Sequence, residues 1–206
     1  EVFPAPHRRA LETYLRNHQQ EDGGWGSHIE SPSNMLGSVF NYVTLRLLSV
    51  PADDPACVNA RGFITKQGGA LYAPVWPKFW LAVLGVYDWQ GMTPVPPELW
   101  LLPAWFPLHP GRFWCHIRMI YLPMCFLYGR RFSYNAAADP LTMSLRSELY
   151  GGSDYNKIDW PNHRYSIADC DNFSPVHPLM RFAQTVFQLY EDWGAWSWLR
   201  RAALSF

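Results

Sequence analysis

Along this chain apolar residues recur at spacings of three and four between prolines and glycines, and no convincing run alternates polar with apolar. That pattern restricts the fold to helices joined by short punctuated links. Met35, Leu36, Val39, Phe40, Val43 and Leu47 form one helical stripe, with Pro32 near its start and Pro51 beyond its end. Pro55 opens a second helix, closed by Gly68-Gly69. Phe79 to Trp89, after Pro77, is apolar nearly all round and predicts an inner helix. Gly111 to Gly129 predicts another, in which Pro123 should introduce a kink and leave the Met119 carbonyl without its usual donor. Asp139-Pro140 reads as the cap of a helix running to Tyr150, and Pro175 to Trp193 as a last long helix. Between them, residues 151–173 read as an irregular polar surface loop with little function of its own. The expected fold class is all-α, with repeated antiparallel helix pairs forming a solenoid closed into an α/α barrel.

One turn stands out. Gln19-Gln20-Glu21-Asp22-Gly23-Gly24-Trp25-Gly26-Ser27-His28-Ile29-Glu30 is polar and dense in glycine, yet carries a large aromatic at its centre. Paired glycines allow backbone angles that side chains forbid, so the chain can double back on the preceding helix. Leu15 and Gln19, four apart, lie on the face that the turn reaches. The expectation is that the Gln19 amide bonds to the turn while Trp25 packs on the helix end. A looser second version is Gln188 followed by Gly194-Ala195-Trp196.

Composition narrows the function. Lys plus Arg and Asp plus Glu number 17 each, so the formal charge is zero and nothing argues for nucleic acid. Eleven Trp, 11 Tyr and 12 Phe exceed what a core of this size needs, so rings should line a cavity or meet another domain. Cys57, Cys115, Cys125 and Cys170 lack metal or disulfide spacing and read as reduced, cytosol-facing thiols. The strongest apolar run, Phe113 to Tyr128, is broken by His116, Arg118 and Pro123 and does not read as a membrane span. A start at Glu1 and an end at Leu204-Ser205-Phe206, within a helix-like basic segment, read as cuts from something longer.

The spacing of Leu15, Gln19, Gly23, Gly24 and Trp25 resembles the glutamine-tryptophan repeat of the triterpene cyclases. Pro107-Leu108-His109-Pro110-Gly111-Arg112-Phe113-Trp114-Cys115-His116 and Tyr121-Leu122-Pro123-Met124 resemble signatures of the eukaryotic oxidosqualene cyclases. Gly68-Gly69-Ala70, Trp76, Lys78-Phe79-Trp80, Pro97-Glu98-Leu99-Trp100 and Leu145-Arg146-Ser147-Glu148-Leu149-Tyr150 are similar to that family in sequence and order. The likeness weakens after about Asn162. It implies that residues 1–206 are an amino-terminal α/α-barrel domain, present in part, of an enzyme cyclising 2,3-oxidosqualene to a sterol or triterpene skeleton. It also implies no cofactor, a missing carboxy-terminal half, and peripheral, cytosol-facing contact with endoplasmic reticulum or lipid-droplet membrane.

By position in the family pattern, Trp76, Trp114, His116 and Tyr121 match residues that line the cyclisation cavity or its entrance. Aromatic faces there stabilise migrating carbocations. Trp114 and Tyr121, seven apart, would share a helix face roughly 10 Å apart, and His116 could orient a phenol or stack beside a cation. Pro77 replaces the family's usual glycine, and Ile117 its small polar or thiol residue, which leaves product identity open. The family's acid, the Asp of an Asp-Cys-Thr-Ala-Glu string, does not occur here. Asp169-Cys170-Asp171 and Asp53-Asp54 read as solvated loop charges instead, so the chain alone is expected to be inactive. No metal-ligand cluster, phosphate loop or nucleophilic triad appears. The alternative from another class is a non-catalytic helical module binding an isoprenoid or a protein. A carbohydrate-active barrel would need a facing carboxylate pair, and Glu21, Asp22 and Glu30 around the turn do not make a persuasive one.

Overall fold

The computed structural model describes residues 3–134, 139–174, 176–193 and 197–205. Among them are eight α-helices, short 3-10 turns and no strand beyond an isolated bridge between Trp25 and Asn34. The all-α expectation holds. The described residues fall into two units, Glu1–Met92 with Tyr134–Ser174, and Thr93–Ser133 with Pro175–Phe206.

The first unit holds α1 (Ala5–Asn17), α2 (Met35–Leu47), α3 (Pro55–Lys66), α4 (Val75–Val83) and α6 (Pro140–Leu149). α2 is its centre, burying Met35, Val39, Tyr42, Val43 and Leu45 and packing on α3, α4 and α6. Pro55 at its first position and Asp54 before it start α3, the Asp54 carboxylate accepting from the Ala56 N–H at 3.0 Å. Asp54 also pairs with Arg16 at 2.7 Å. It is therefore a cap and a tie between α1 and α3, not the free loop charge expected from sequence. Asp139 caps α6 through the Thr142 N–H and hydroxyl, as expected. The helix expected over Phe79 to Trp89 instead spans Val75–Val83, with Pro77 in its first turn, where the missing N–H costs nothing. Gly85, at φ +75°, ends it.

Residues 151–173 are irregular, with 3-10 turns at Tyr155–Lys157, Trp160–His163 and Asp169–Asp171, and several of their side chains are buried. Trp160 packs edge-on against Tyr87 and Tyr150, and Arg164 donates to the Gln90 carbonyl at 2.7 Å. Asp171 is only 8% exposed, and its carboxylate accepts from the backbone N–H groups of Met35 and Leu36 at 2.6 and 3.2 Å. The Asn34 side chain, at the cap position just before the helix, accepts from the Gly37 N–H, so one local side chain and one distant one together satisfy the first turn of α2. The expectation of a solvated charge fails at Asp171 and holds for the exposed Asp169.

The second unit holds α5 (Cys115–Gly129), α7 (Pro178–Asp192) and α8 (Ser197–Leu204). α5 starts four residues later than the glycine suggested, because Pro110–Arg112 form a separate 3-10 turn capped by His109. It runs through Pro123. α7 begins at Pro178 rather than Pro175, with the His177 ring as its cap. Polar pairs tie it to its neighbours: Arg200 bonds Glu98 and Glu191, Arg131 bonds Glu191 at 2.7 Å, and Tyr190 donates to Glu98 at 2.8 Å. Gly194-Ala195-Trp196, of the second turn motif, lie outside the described residues. Among the described residues no helix is long and apolar enough to cross a membrane. All four cysteines are free thiols.

Candidate functional site

The glycine turn builds as its residue types require. Gln19 donates through its amide to the carbonyls of Gly23 and Ala56, each at 2.8 Å, which pins the end of α1 to the turn and to α3. Trp25 is 3% exposed and its indole N–H donates to the Leu15 carbonyl at 2.9 Å, satisfying an acceptor at the helix end. Gly23 has φ +87°, and a Cβ there would lie 2.4 Å from the Asn59 carbonyl oxygen. Neither a side chain nor another backbone conformation fits.

Trp76 sits in the first turn of α4 and is 38% exposed. Beside it, Val39, Val43 and Leu47 of α2 with Trp80 and Leu84 line an apolar groove of about 280 Å³, in which Trp76 itself takes no part. The remaining three candidates belong to the second unit. Trp114 is the residue before α5, with ψ of 142°, and is 67% exposed. It therefore lies outside the helical register, and the shared face expected for Trp114 and Tyr121 is not formed. The structure brings Trp114 and His116 together instead, their rings 4.4 Å apart and tilted by 41°. His116 is exposed, and its Nδ1 lies 3.2 Å from the Cys115 sulfur. It meets no phenol. Tyr121 is partly buried, stands edge-on to Phe113 at 5.6 Å, and donates its hydroxyl to the Pro96 carbonyl at 2.7 Å. Burial holds that hydroxyl well above its ordinary pKa, so it remains a donor and takes no part in proton transfer near neutrality.

Around the Trp114–His116 pair the first turns of α5 present Ile117, Met119, Ile120 and Leu122 to the exterior, with Trp105 73% exposed in the preceding segment. Cys115, read from the sequence only as a reduced thiol and as part of the Trp-Cys-His string, is the neighbour of His116. Among the described residues no three His, Cys, Asp or Glu side chains come together in a way that would hold a metal ion. The arrangement offers π-faces and apolar surface, and no acid in an apolar setting.

The model of the squalene-hopene cyclase N-terminal domain family matches residues 4–205. The chain belongs to that family. It is similar to human lanosterol synthase, with 48% identity over 189 residues, 92% of this chain and 25% of the relative. It is 53% identical to the lanosterol synthase of Gibberella zeae over 163 residues, 79% of this chain and 21% of the relative. It is 42% identical to the cycloartenol synthase of Dictyostelium discoideum over 208 residues, 99% of this chain and 29% of the relative. The domain thus spans about a quarter of the length of the curated relatives it matches. The likeness to oxidosqualene cyclases expected from the sequence is borne out. Being all-helical, the domain agrees with an α/α-barrel class present in part.

Proposed function

We propose that this domain is part of an oxidosqualene cyclase-like triterpene synthase, an isomerase acting on 2,3-oxidosqualene, and supplies aromatic lining to the cyclisation cavity or its entrance through Trp76, Trp114, His116 and Tyr121. The observation that carries the reading is the Trp114–His116 pair, two rings in tilted contact left exposed at the start of an apolar helix in a chain 48% identical to a lanosterol synthase over 189 residues. An indole face presented in this way, once covered and desolvated, stabilises a passing carbocation by about 2 kcal/mol. Tyr121, held by Pro96 and Phe113, would act as a fixed wall. No cofactor is called for. The oxirane-protonating acid would come from the portion present in the longer relatives, so the chain alone would yield no product.

The same reading includes peripheral membrane contact at endoplasmic reticulum or lipid droplet. It is supported by α7, whose Leu179, Phe182, Val186 and Leu189 are each 45–69% exposed, with Trp193 80% exposed beyond its end. The test replaces the matching segment of human lanosterol synthase by this chain, in yeast lacking its own enzyme, and adds Trp114→Ala and His116→Ala. Loss of cyclic product, or a shift to partly cyclised products, at normal protein levels supports the cavity role. Unchanged product amount and pattern in both variants refutes it.

A further inference from the structure

A second cavity in the unit containing α5 and α8 has a different character from the aromatic pair. Pro97, Trp100, Leu122, Pro123, Phe126 and Leu204 line an apolar groove of about 450 Å³, a volume within the range of small-molecule sites. Leu204 and Ser205 form one end of it and also line an adjoining opening whose other walls are Arg130 and Arg201. Both arginines are exposed and neither forms an ion pair among the described residues. Their neighbours Arg131 and Arg200 are the ones engaged by Glu191 and Glu98, and Arg130 and Arg201 stand at the groove mouth. The Arg130 guanidinium lies 4.7 Å from the Phe126 ring centroid, and Phe126 is itself a groove wall. Stacking holds the charge at the end of the apolar channel.

We propose that this groove binds a single-chain amphiphilic anion, a fatty-acid-like molecule whose chain lies along Trp100, Leu122, Phe126 and Leu204 and whose carboxylate meets Arg130 and Arg201. An apolar partner alone would have no use for the two unpaired guanidiniums, and a soluble anion would have no use for the groove. The pairing of the two selects an occupant with both parts. The site is separate in chemistry from the cyclisation lining, which calls for a neutral polyene.

The experiment uses the 206-residue chain kept in solution by a non-ionic amphipol and titrates it with 11-(dansylamino)undecanoate, with the corresponding primary amide as a neutral control. The site predicts saturable dansyl enhancement and tighter binding of the acid than of the amide by about tenfold at low salt, a preference that shrinks as ionic strength rises. Arg130→Gln/Arg201→Gln removes the preference and leaves amide binding in place. Ser205→Trp, at an exposed groove wall, weakens both probes. Equal affinity for acid and amide in the unaltered chain overturns the proposal. So does binding that appears only with phosphatidic acid vesicles and never with the free probe, which would make the arginines a membrane contact. Unaltered helical circular dichroism in both variants keeps a loss of binding from being a loss of fold.

Discussion

At the scale of single residues, Trp25 does two separable things. It buries a large ring against α1, and it donates to the Leu15 carbonyl in the last turn of that helix, which otherwise accepts only the longer bond from the His18 N–H at 3.3 Å. Trp25→Ala should cost about 3–5 kcal/mol. Trp25→Phe keeps most of the buried area and loses the hydrogen bond, so it should cost about 1 kcal/mol plus a small packing loss. Thermal melts of the detergent-solubilised chain check this, and equal losses in both variants would show that the hydrogen bond, not the ring, carries the turn. Lys78 is the other residue with a measurable signature. It is 1% exposed, donates to the carbonyls of His163 and Ser166 at 2.7 Å each, and burial pulls its ammonium from 10.5 down to about 7. Because the unfolded lysine keeps its proton up to 10.5 while the folded one releases it above about 7, stability should rise with pH across that interval. The clean window ends near pH 8.5. Above it Cys125 and Cys170, which burial raises to about 11, hold protons that the unfolded thiols have lost and reverse the slope. Between pH 7 and 8.5 the gain should be about 1.5 kcal/mol, and Lys78→Met should flatten it; an unchanged slope in that variant would assign the effect elsewhere.

At the scale of elements, α2 depends on a residue more than a hundred positions away. Asp171→Ala leaves the N–H groups of Met35 and Leu36 without their acceptor in a buried setting and should cost about 1–3 kcal/mol. Asp169→Ala, two residues earlier and exposed, should cost nothing measurable. A chemical-denaturation comparison of the two decides it, and equal midpoints would remove Asp171 from the account. This cap also marks what sequence alone could and could not reveal. The helix of Met35 to Leu47, its neighbour opened by Pro55 and the glycine turn were legible because their signals are local: a periodic stripe, a proline at a first turn, paired glycines beside a tryptophan. Asp171 was not, since a carboxylate in a polar stretch looks the same whether it meets water or a helix 135 residues back. Trp114 was misread for a related reason. Pro110 draws the preceding turn into a 3-10 form, the helix starts after the tryptophan, and spacing by seven loses its meaning there. The pairing of Trp114 with His116 follows from that displaced start. In the candidate site, residue types were legible and their juxtaposition was not.

At the scale of the molecule, the chain presents more large apolar side chains than a solitary soluble domain usually tolerates. Trp105, Trp114, Met119, Leu179, Phe182, Trp193 and Trp198 are each between 62% and 74% exposed or, at Trp193, 80%. The 206-residue chain without detergent should therefore associate, and size-exclusion chromatography in plain buffer should show aggregate; a monodisperse, cooperatively unfolding monomer would contradict the picture of surfaces built to be covered. We propose that this domain serves a triterpene cyclase whose acid comes from the portion present in the longer relatives. The most direct test of this proposal places the chain alone, and the chain joined to the remainder of human lanosterol synthase, in yeast without that enzyme, and reads the extracts by gas chromatography with mass detection. The account predicts a cyclic triterpene from the joined protein and only uncyclised oxidosqualene from the chain by itself. Cyclic product from the isolated chain, or none from a well-expressed joined protein, would contradict it.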